Sequence, residues 1–348
     1  MRRRTVELQR GPSRRGLLKV GLCGAFASAF GRSVHATTAA GGGNHEHLVP
    51  TKTIPSRSGF GMQQIGDGLY WITDGAYNTM FAVSVDGVVA FDAPPSLVPY
   101  YFQAIRSVTS KPITHLVYSH EHVDHIAGAE LFPENITIVA NRRTADLLAS
   151  RQDGRRRVPN LVFDDSYRLS VGQHVFDLSW KGVNHSLDNT FIYAPRQRVL
   201  MLVDIIYPGW MPYKNLGLAI DVPGLVEAHR QALAFDFETL VAGHVSRVGT
   251  RADVEAQLAF LKDLADCSER AYAELSFTSF LASQEARRTN WEAHNNYETV
   301  LIEHVMANVP THWRCRLQGF DVYFRDNCWT MLETFMVQGA PHFNGFRR

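Results

Sequence analysis

Cysteine is scarce in this chain: there are four in 348 residues, at positions 23, 267, 315 and 328. None lies at the close spacing of a thiolate metal site. The three beyond the N-terminal segment allow at most one internal disulfide, so neither a disulfide scaffold nor a Cys-built zinc module is encoded. An excess of charge is also missing, with a formal net charge of +1 from 35 Lys and Arg against 34 Asp and Glu. Residues 1–36 carry +7 of this and leave the remainder at −6, a mildly acidic body that argues against nucleic acid as a partner. No stretch after these residues is long and apolar enough to supply the roughly 20 residues of a membrane span. No internal repeat is visible. The remaining composition, 45% hydrophobic and 20% charged, is that of an ordinary globular protein of one large domain or two smaller ones. Histidine is the residue in plenty, with 15 copies, several of them clustered.

The N-terminus reads as an address. Ser13-Arg14-Arg15-Gly16-Leu17-Leu18-Lys19 resembles the twin-arginine export signal, with Leu17 where that signal often has Phe. An uncharged run from Val20 to Phe30 follows, then the small-x-Ala pattern Val34-His35-Ala36. Residues 1–36 are therefore expected to be removed on export to the periplasm or beyond, leaving no membrane attachment. Leu22 directly before Cys23 argues against a lipoprotein cleavage site. Residues 37–58, rich in Thr, Ala, Gly and Pro, read as a flexible linker, with His45 and His47 coincidental.

Alternating apolar segments predict strands at 69–73, 80–85, 88–92 and 115–118, then at 137–140, 167–169, 174–179, 190–194, 199–203 and 239–241. Helical spacing covers 97–108, 142–150 and 222–235, and a long helix from 251 to about 308 with a break near Thr289-Asn290. Strands followed by helices, twice over, predict a layered αββα sandwich over 59–250, with a helical, aromatic extension over 251–348. In that extension Trp291, Tyr297, Trp313, Tyr323 and Trp329 fit either a lid over an apolar pocket or packing onto the sandwich, including a homodimer contact.

The chemistry is concentrated in Ser119-His120-Glu121-His122-Val123-Asp124-His125-Ile126-Ala127-Gly128. Four potential ligands in six residues, directly after a strand, cannot enter a core without partners. In an extended loop His120 and His122 project to one side and can share a metal, while Asp124 and His125 can turn to a second ion. Imidazole and carboxylate donors suit zinc, with iron or manganese as alternatives.

This HxHxDH pattern resembles the signature of the metallo-β-lactamase superfamily, and the likeness extends over roughly residues 60–250. Asn184-His185-Ser186-Leu187-Asp188-Asn189 is similar to the family's third-histidine motif, Val199–Asp204 to the strand that ends in its bridging Asp, and Gly243-His244 to its last ligand. The resemblance implies a four-layer αββα fold and two zinc ions per chain. One would be held by His120, His122 and His185, the other by Asp124, His125 and His244, and Asp204 would bridge them. It also implies a hydrolase, because a metal can lower the pKa of its water from 15.7 to about 7 while a second polarises the substrate. Asp124 could orient that water or carry a proton to the leaving group. Asp92, at a strand end, fits either an orienting partner for a ligand imidazole or an ordinary strand terminus. Ser186, Asp188 and Asn189 are candidates to hold the His185 loop, and His115 reads as structural.

The scissile bond is less legible. Tyr207 lies three residues after Asp204, the offset at which the acyl-homoserine-lactone hydrolases of this superfamily carry a Tyr that polarises the ester carbonyl. Asp204 and Tyr207 also differ from the Cys and Lys usual in the best-known zinc β-lactamases, although the His185 motif is similar to theirs. The expected substrate is a small molecule: an ester, lactone or related carbonyl compound. β-Lactam hydrolysis, dehalogenation, phosphoester or sulfate ester cleavage, and a mononuclear iron persulfide dioxygenase are the alternatives.

Overall fold

A computed structural model describes residues 59–245, 247–283 and 289–339. The expected signal segment and the whole of the expected linker lie outside these residues. Among the described residues no helix is long and apolar enough to cross a membrane.

Among the described residues twelve strands form two sheets. The first contains β1 (Gly61–Gly66), β2 (Leu69–Thr73), β3 (Asn78–Ser84), β4 (Gly87–Phe91), β5 (Ile113–Val117), β6 (Thr137–Asn141) and β7 (Leu161–Phe163), side by side in chain order. The first four pair antiparallel, and β4 to β7 run parallel. The second contains β8 (Ser166–Val171), β9 (His174–Trp180), β10 (Thr190–Ala194), β11 (Val199–Met201) and β12 (Thr239–Val241), again in chain order, with only β11 and β12 parallel.

Strand alternation explains the layering. In β4, Val89 and Phe91 face the space between the sheets, while Val88 and Ala90 pack outward. Val199, Met201 and Val203 likewise point between the sheets, and Leu200 and Leu202 point away. Both faces of each sheet are thus buried, which is why these strands read as near-continuous apolar runs. Helices α1 (Val98–Val108), α2 (Val123–Ile126) and α3 (Arg142–Arg151) follow strands of the first sheet. Tyr101, Ala104, Ile105 and Leu148 cover that sheet's outer face. The outer face of the second sheet is covered by α5 (Val222–Leu233), α6 (Arg251–Glu274), α8 (Asn290–Asn308) and α10 (Phe320–Gln338), through one apolar cluster that includes Phe191, Leu200 and Leu240. The result is the αββα sandwich expected from the sequence, with a helical C-terminal region.

Three local features differ from expectation. The helix predicted from 251 breaks after Glu274, so that α7 (Phe277–Ser283) stands apart; the break near 289 is present, with Thr289 capping α8 by accepting the Glu292 N–H at 3.2 Å. Edge strands β1 and β7 are additional to the sequence reading. The turn α4 (Lys214–Leu218) is left-handed, with φ of +56° at Asn215, +54° at Leu216, +73° at Gly217 and +57° at Leu218. For L-residues this conformation costs roughly 1–2 kcal/mol each, so outside contacts must hold it. A short helix, α9 (Trp313–Arg316), precedes α10. The tail aromatics divide between the two readings. Trp313 and Tyr297 are buried in the outer cluster, Trp329 packs against it, Trp291 is exposed, and Tyr323 reaches the cavity described below.

Candidate metal centre

The parallel strands β4, β5, β11 and β12 end on one rim of the sandwich, and their loops supply most of the chemistry-bearing side chains. After β5 the chain turns into His120. Asp92, which follows β4 at a φ of +46°, accepts the Ser119 N–H at 2.7 Å. This contact makes Asp92 a fixture of the loop backbone, and its carboxyl also acts electrostatically on His125. Burial pushes its carboxyl up to about 7. Ser119 Oγ lies 2.9 Å from His120 Nδ1, so His120 Nε2 faces inward. Glu121 points the other way into a buried ion pair with Arg156 at 2.7 Å and with Arg151 at 2.8 Å. Arg156 also donates to the Glu121 carbonyl at 2.7 Å, fastening the loop from behind. The one-turn helix α2 then presents Asp124 and His125.

The third histidine sits in the β9–β10 loop. Asn184 Oδ1 accepts the His185 N–H at 2.7 Å, Asn189 Nδ2 donates to the Val203 carbonyl at 2.9 Å, and Asp188 accepts from Thr144 at 2.8 Å. Ser186 is buried within the loop. His185 Nδ1 donates to the Gly217 carbonyl at 2.6 Å, so Nε2 faces the centre, 3.0 Å from His122 Nδ1. Asp204 follows β11 at a φ of +61°. His244 follows β12, with Nδ1 against the Ala76 carbonyl at 3.1 Å and its own carbonyl held by Asn78 Nδ2 at 2.6 Å. Gly243 has to be glycine for reasons of space: a Cβ there would collide with Asp204 Oδ1 and stand 2.9 Å from His125 Cε1.

These loops bring all seven expected ligands together in two groups. His120, His122, His185 and Asp204 form one, and Asp124, His125 and His244 form the other; within each group the donor atoms lie within 4.8 Å of one another. Asp204 touches both, since its Oδ2 is 3.4 Å from His185 Nε2 and 2.9 Å from His125 Nε2, and its Oδ1 is 3.3 Å from His244 Nε2. His115 stays outside, half-buried in β5 with Nδ1 2.9 Å from Thr114 Oγ1.

The donor set fits divalent cations. His120 Nε2 is buried with no hydrogen-bond partner among the described residues, its nearest carboxylate oxygen, Asp204 Oδ2, standing 3.8 Å away. Burial, reinforced by the neighbouring His122, holds His120 well below its ordinary pKa, and burial brings His185 down to about 4, so both stay neutral ligands at pH 7. Although burial opposes ionisation of Asp204, the facing His125 and His244 hold its carboxyl well below the usual range. His125 differs from its neighbours: against its burial, Asp204 holds it up to about 9, so the positive charge these donors need is one that a proton on His125 or a bound cation would supply.

A family model described as the metallo-beta-lactamase superfamily matches residues 75–264. The chain belongs to that superfamily. Among curated relatives it is 29% identical over 207 residues to the 2,4-dinitroanisole O-demethylase subunit alpha of Nocardioides sp. (strain JS1661), a match covering 58% of this chain and 62% of that protein. It is 26% identical over 145 residues to the metallo-beta-lactamase type 2 of Elizabethkingia meningoseptica, covering 41% of this chain and 56% of that one. The chain thus spans less than two thirds of the length of these relatives. Among solved structures, a metallo-beta-lactamase from Pontibacter korlensis superposes with a TM-score of 0.50 at 19% identity, over 58% of this chain and 99% of that one, a likeness of fold.

Above the superfamily's ligand set opens a cavity of about 500 Å³. Tyr207 lines it, buried, with its ring stacked on His244 at a centroid distance of 6.3 Å and its hydroxyl 3.4 Å from the Asp204 carbonyl. Three contributors escaped the sequence reading. Tyr77 packs on His244 at 4.8 Å, and burial, with the nearby Asp124 and Asp204, pushes its hydroxyl up to about 12. Gln257 of α6 accepts the Tyr207 N–H at 2.9 Å and donates to the Ile205 carbonyl at 2.6 Å. Asn327 of α10, fully buried, accepts the Leu216 N–H at 2.7 Å and donates to the Pro212 carbonyl at 2.9 Å, thereby holding the left-handed turn whose Gly217 carbonyl orients His185. Tyr77 precedes a strand, where an aromatic is unremarkable, and the two amides sit inside helices far along the chain.

Proposed function

We propose that this chain is an exported, dinuclear, zinc-dependent hydrolase that cleaves an ester, lactone or related carbonyl compound. The observation that carries the reading is the pair of ligand groups sharing Asp204 at the floor of one cavity. Asp124, His125 and His244 grouped together favour two ions over the mononuclear iron of a persulfide dioxygenase. The two curated relatives bear the names of different reactions, so similarity does not select the scissile bond.

Bound by these residues, two divalent cations would supply Lewis acidity and a water acidified to near neutrality. The chain's own groups do the rest. The Asp124 carboxylate, whose side chain is 46% exposed toward the cavity, is placed to orient the attacking water and to hold its proton for the leaving group. Burial keeps the Tyr207 hydroxyl protonated well above its ordinary pKa, so it can donate to a substrate carbonyl oxygen as negative charge develops there. Tyr77, packed on His244 beside Asp124, walls that side of the cavity.

The test is metal analysis of protein purified without chelator, alongside turnover of lactone, ester and β-lactam panels. Close to two zinc per chain with hydrolysis of an ester or lactone supports the reading. One iron per chain with oxygen consumption on a persulfide would overturn it.

A further inference from the structure

The geometry points to neutral aromatic compounds as the substrate class of this site, a conclusion that rests on the hydrolase reading above. Five aromatic rings line the cavity: Tyr77, Tyr207, Trp210, Tyr213 and Tyr323. They come from three separate segments: the β2–β3 loop, the loop after β11, and α10 of the C-terminal region. Tyr213 and Tyr323 meet edge to face at a centroid distance of 5.2 Å, so the tail contributes a ring to the wall rather than only packing behind it. Met211 and Leu218 add apolar surface. Ring faces and edges set around a cavity of about 500 Å³ suit a flat, polarisable group, which gains from offset or edge contacts that a saturated ring of the same size does not make.

Charge narrows the class further. No Lys or Arg is among the described residues lining the cavity. Two basic residues close in sequence to lining positions are engaged elsewhere: Arg247 grips Asp253 at 2.6 and 3.0 Å, and Lys214 faces Asp326 at 3.8 Å. An anionic group carried away from the scissile bond would lose its water in this cavity without gaining a cationic partner. The carboxylate of a β-lactam is such a group. The Tyr207 hydroxyl is a donor, matched to a neutral acceptor on the substrate.

Three acetates test the inference with closely matched alcohol leaving groups: benzyl acetate, cyclohexylmethyl acetate and 4-carboxybenzyl acetate, assayed with the zinc-loaded full chain. The benzyl ester should exceed the cyclohexylmethyl ester about 3–10-fold in kcat/KM, from ring contacts alone. It should exceed the carboxylated ester by roughly tenfold or more, the usual weight of an unpaired buried charge. Tyr323→Leu should bring the two uncharged esters within about twofold of each other, and Leu218→Arg should raise the carboxylated ester about tenfold by supplying its missing partner. Equal rates for the three esters, or preference for the carboxylated one, would overturn the assignment. A second measurement separates it from the hydrolase reading. Quenching of tryptophan fluorescence in chelator-treated protein should show naphthalene-2-methanol binding about tenfold tighter than its 6-carboxylate, since neither probe can then be held by metal. That preference without ester turnover keeps the substrate class and removes the hydrolase. Turnover without the preference does the reverse.

Discussion

Asn327 offers the sharpest test of how the site is held, because it binds no metal and lies far along the chain from every ligand. Asn327→Ala removes two bonds and strands a buried N–H at Leu216 and a carbonyl at Pro212. Two orphaned groups cost about 2–6 kcal/mol if nothing moves. The three non-glycine residues of the left-handed turn, Asn215, Leu216 and Leu218, hold roughly 3–6 kcal/mol of conformational strain between them. The two quantities are comparable, so the cheaper response is for the turn to relax toward solvent rather than for the domain to unfold. The Gly217 carbonyl then leaves His185 Nδ1, and the imidazole loses its fixed orientation. Loss of such an outer partner typically lowers metal affinity 10–100-fold. Competition with a chromophoric chelator should therefore show one of the two zinc ions weakened by that factor, while thermal unfolding moves only a few degrees. Asn327→Asp, which retains the acceptor for Leu216, should fall between the variant and the wild type. Wild-type affinity for both ions in Asn327→Ala would refute the reasoning.

Four further outcomes are expected. Asp204→Asn should hold no more than about one zinc per chain and lose at least roughly 10³-fold in kcat, read by elemental analysis and ester turnover. Tyr207→Phe should lower kcat about 10–100-fold with little change in KM, as for a donor felt in the transition state; an unchanged kcat would leave Tyr207 as cavity wall. Burial holds His229 down to about 4, between the Leu225 carbonyl and Gln257, whereas unfolded His titrates near 6.5. The unfolded chain takes up this proton first, so stability falls as pH drops from about 6.5 to about 4; up to about 3 kcal/mol of that loss should be absent in His229→Gln, measured by urea unfolding across the range. Cys315 is exposed and free, while Cys267 and Cys328 are free and buried. A thiol reagent should thus modify one of these three cysteines in the native protein and all three in urea, and a reductant should leave the melting temperature unchanged.

The candidate metal ligands were legible because chemistry confines them. Four donors within His120–His125 have no tolerable buried alternative, and an acid or histidine just past an apolar strand, as at Asp204 and His244, falls where sheet loops converge. The two sheets were legible for the same kind of reason, since alternating burial on both faces leaves apolar runs such as Val199–Val203. The supporting layer was not. The group that orients His185 is a backbone carbonyl, which every residue possesses, and its position depends on a turn containing Leu216 and Leu218 in a conformation contrary to their local preference. Asn327 and Gln257 sit inside helices where a polar residue ordinarily marks a solvent face; only tertiary packing makes them interior. The break after Glu274 was hidden because no glycine or proline stands at Leu275 or Ser276.

The left-handed turn also orders events in time. A chain synthesised as far as residue 264 already carries all seven ligands and both sheets, yet it lacks the amide that clamps Leu216. Only when α10 has emerged and folded back can the turn close and His185 settle. The third histidine is therefore fixed only once α10 has folded back, and a product truncated before α10 would carry the full set of candidate ligands with a loosened His185.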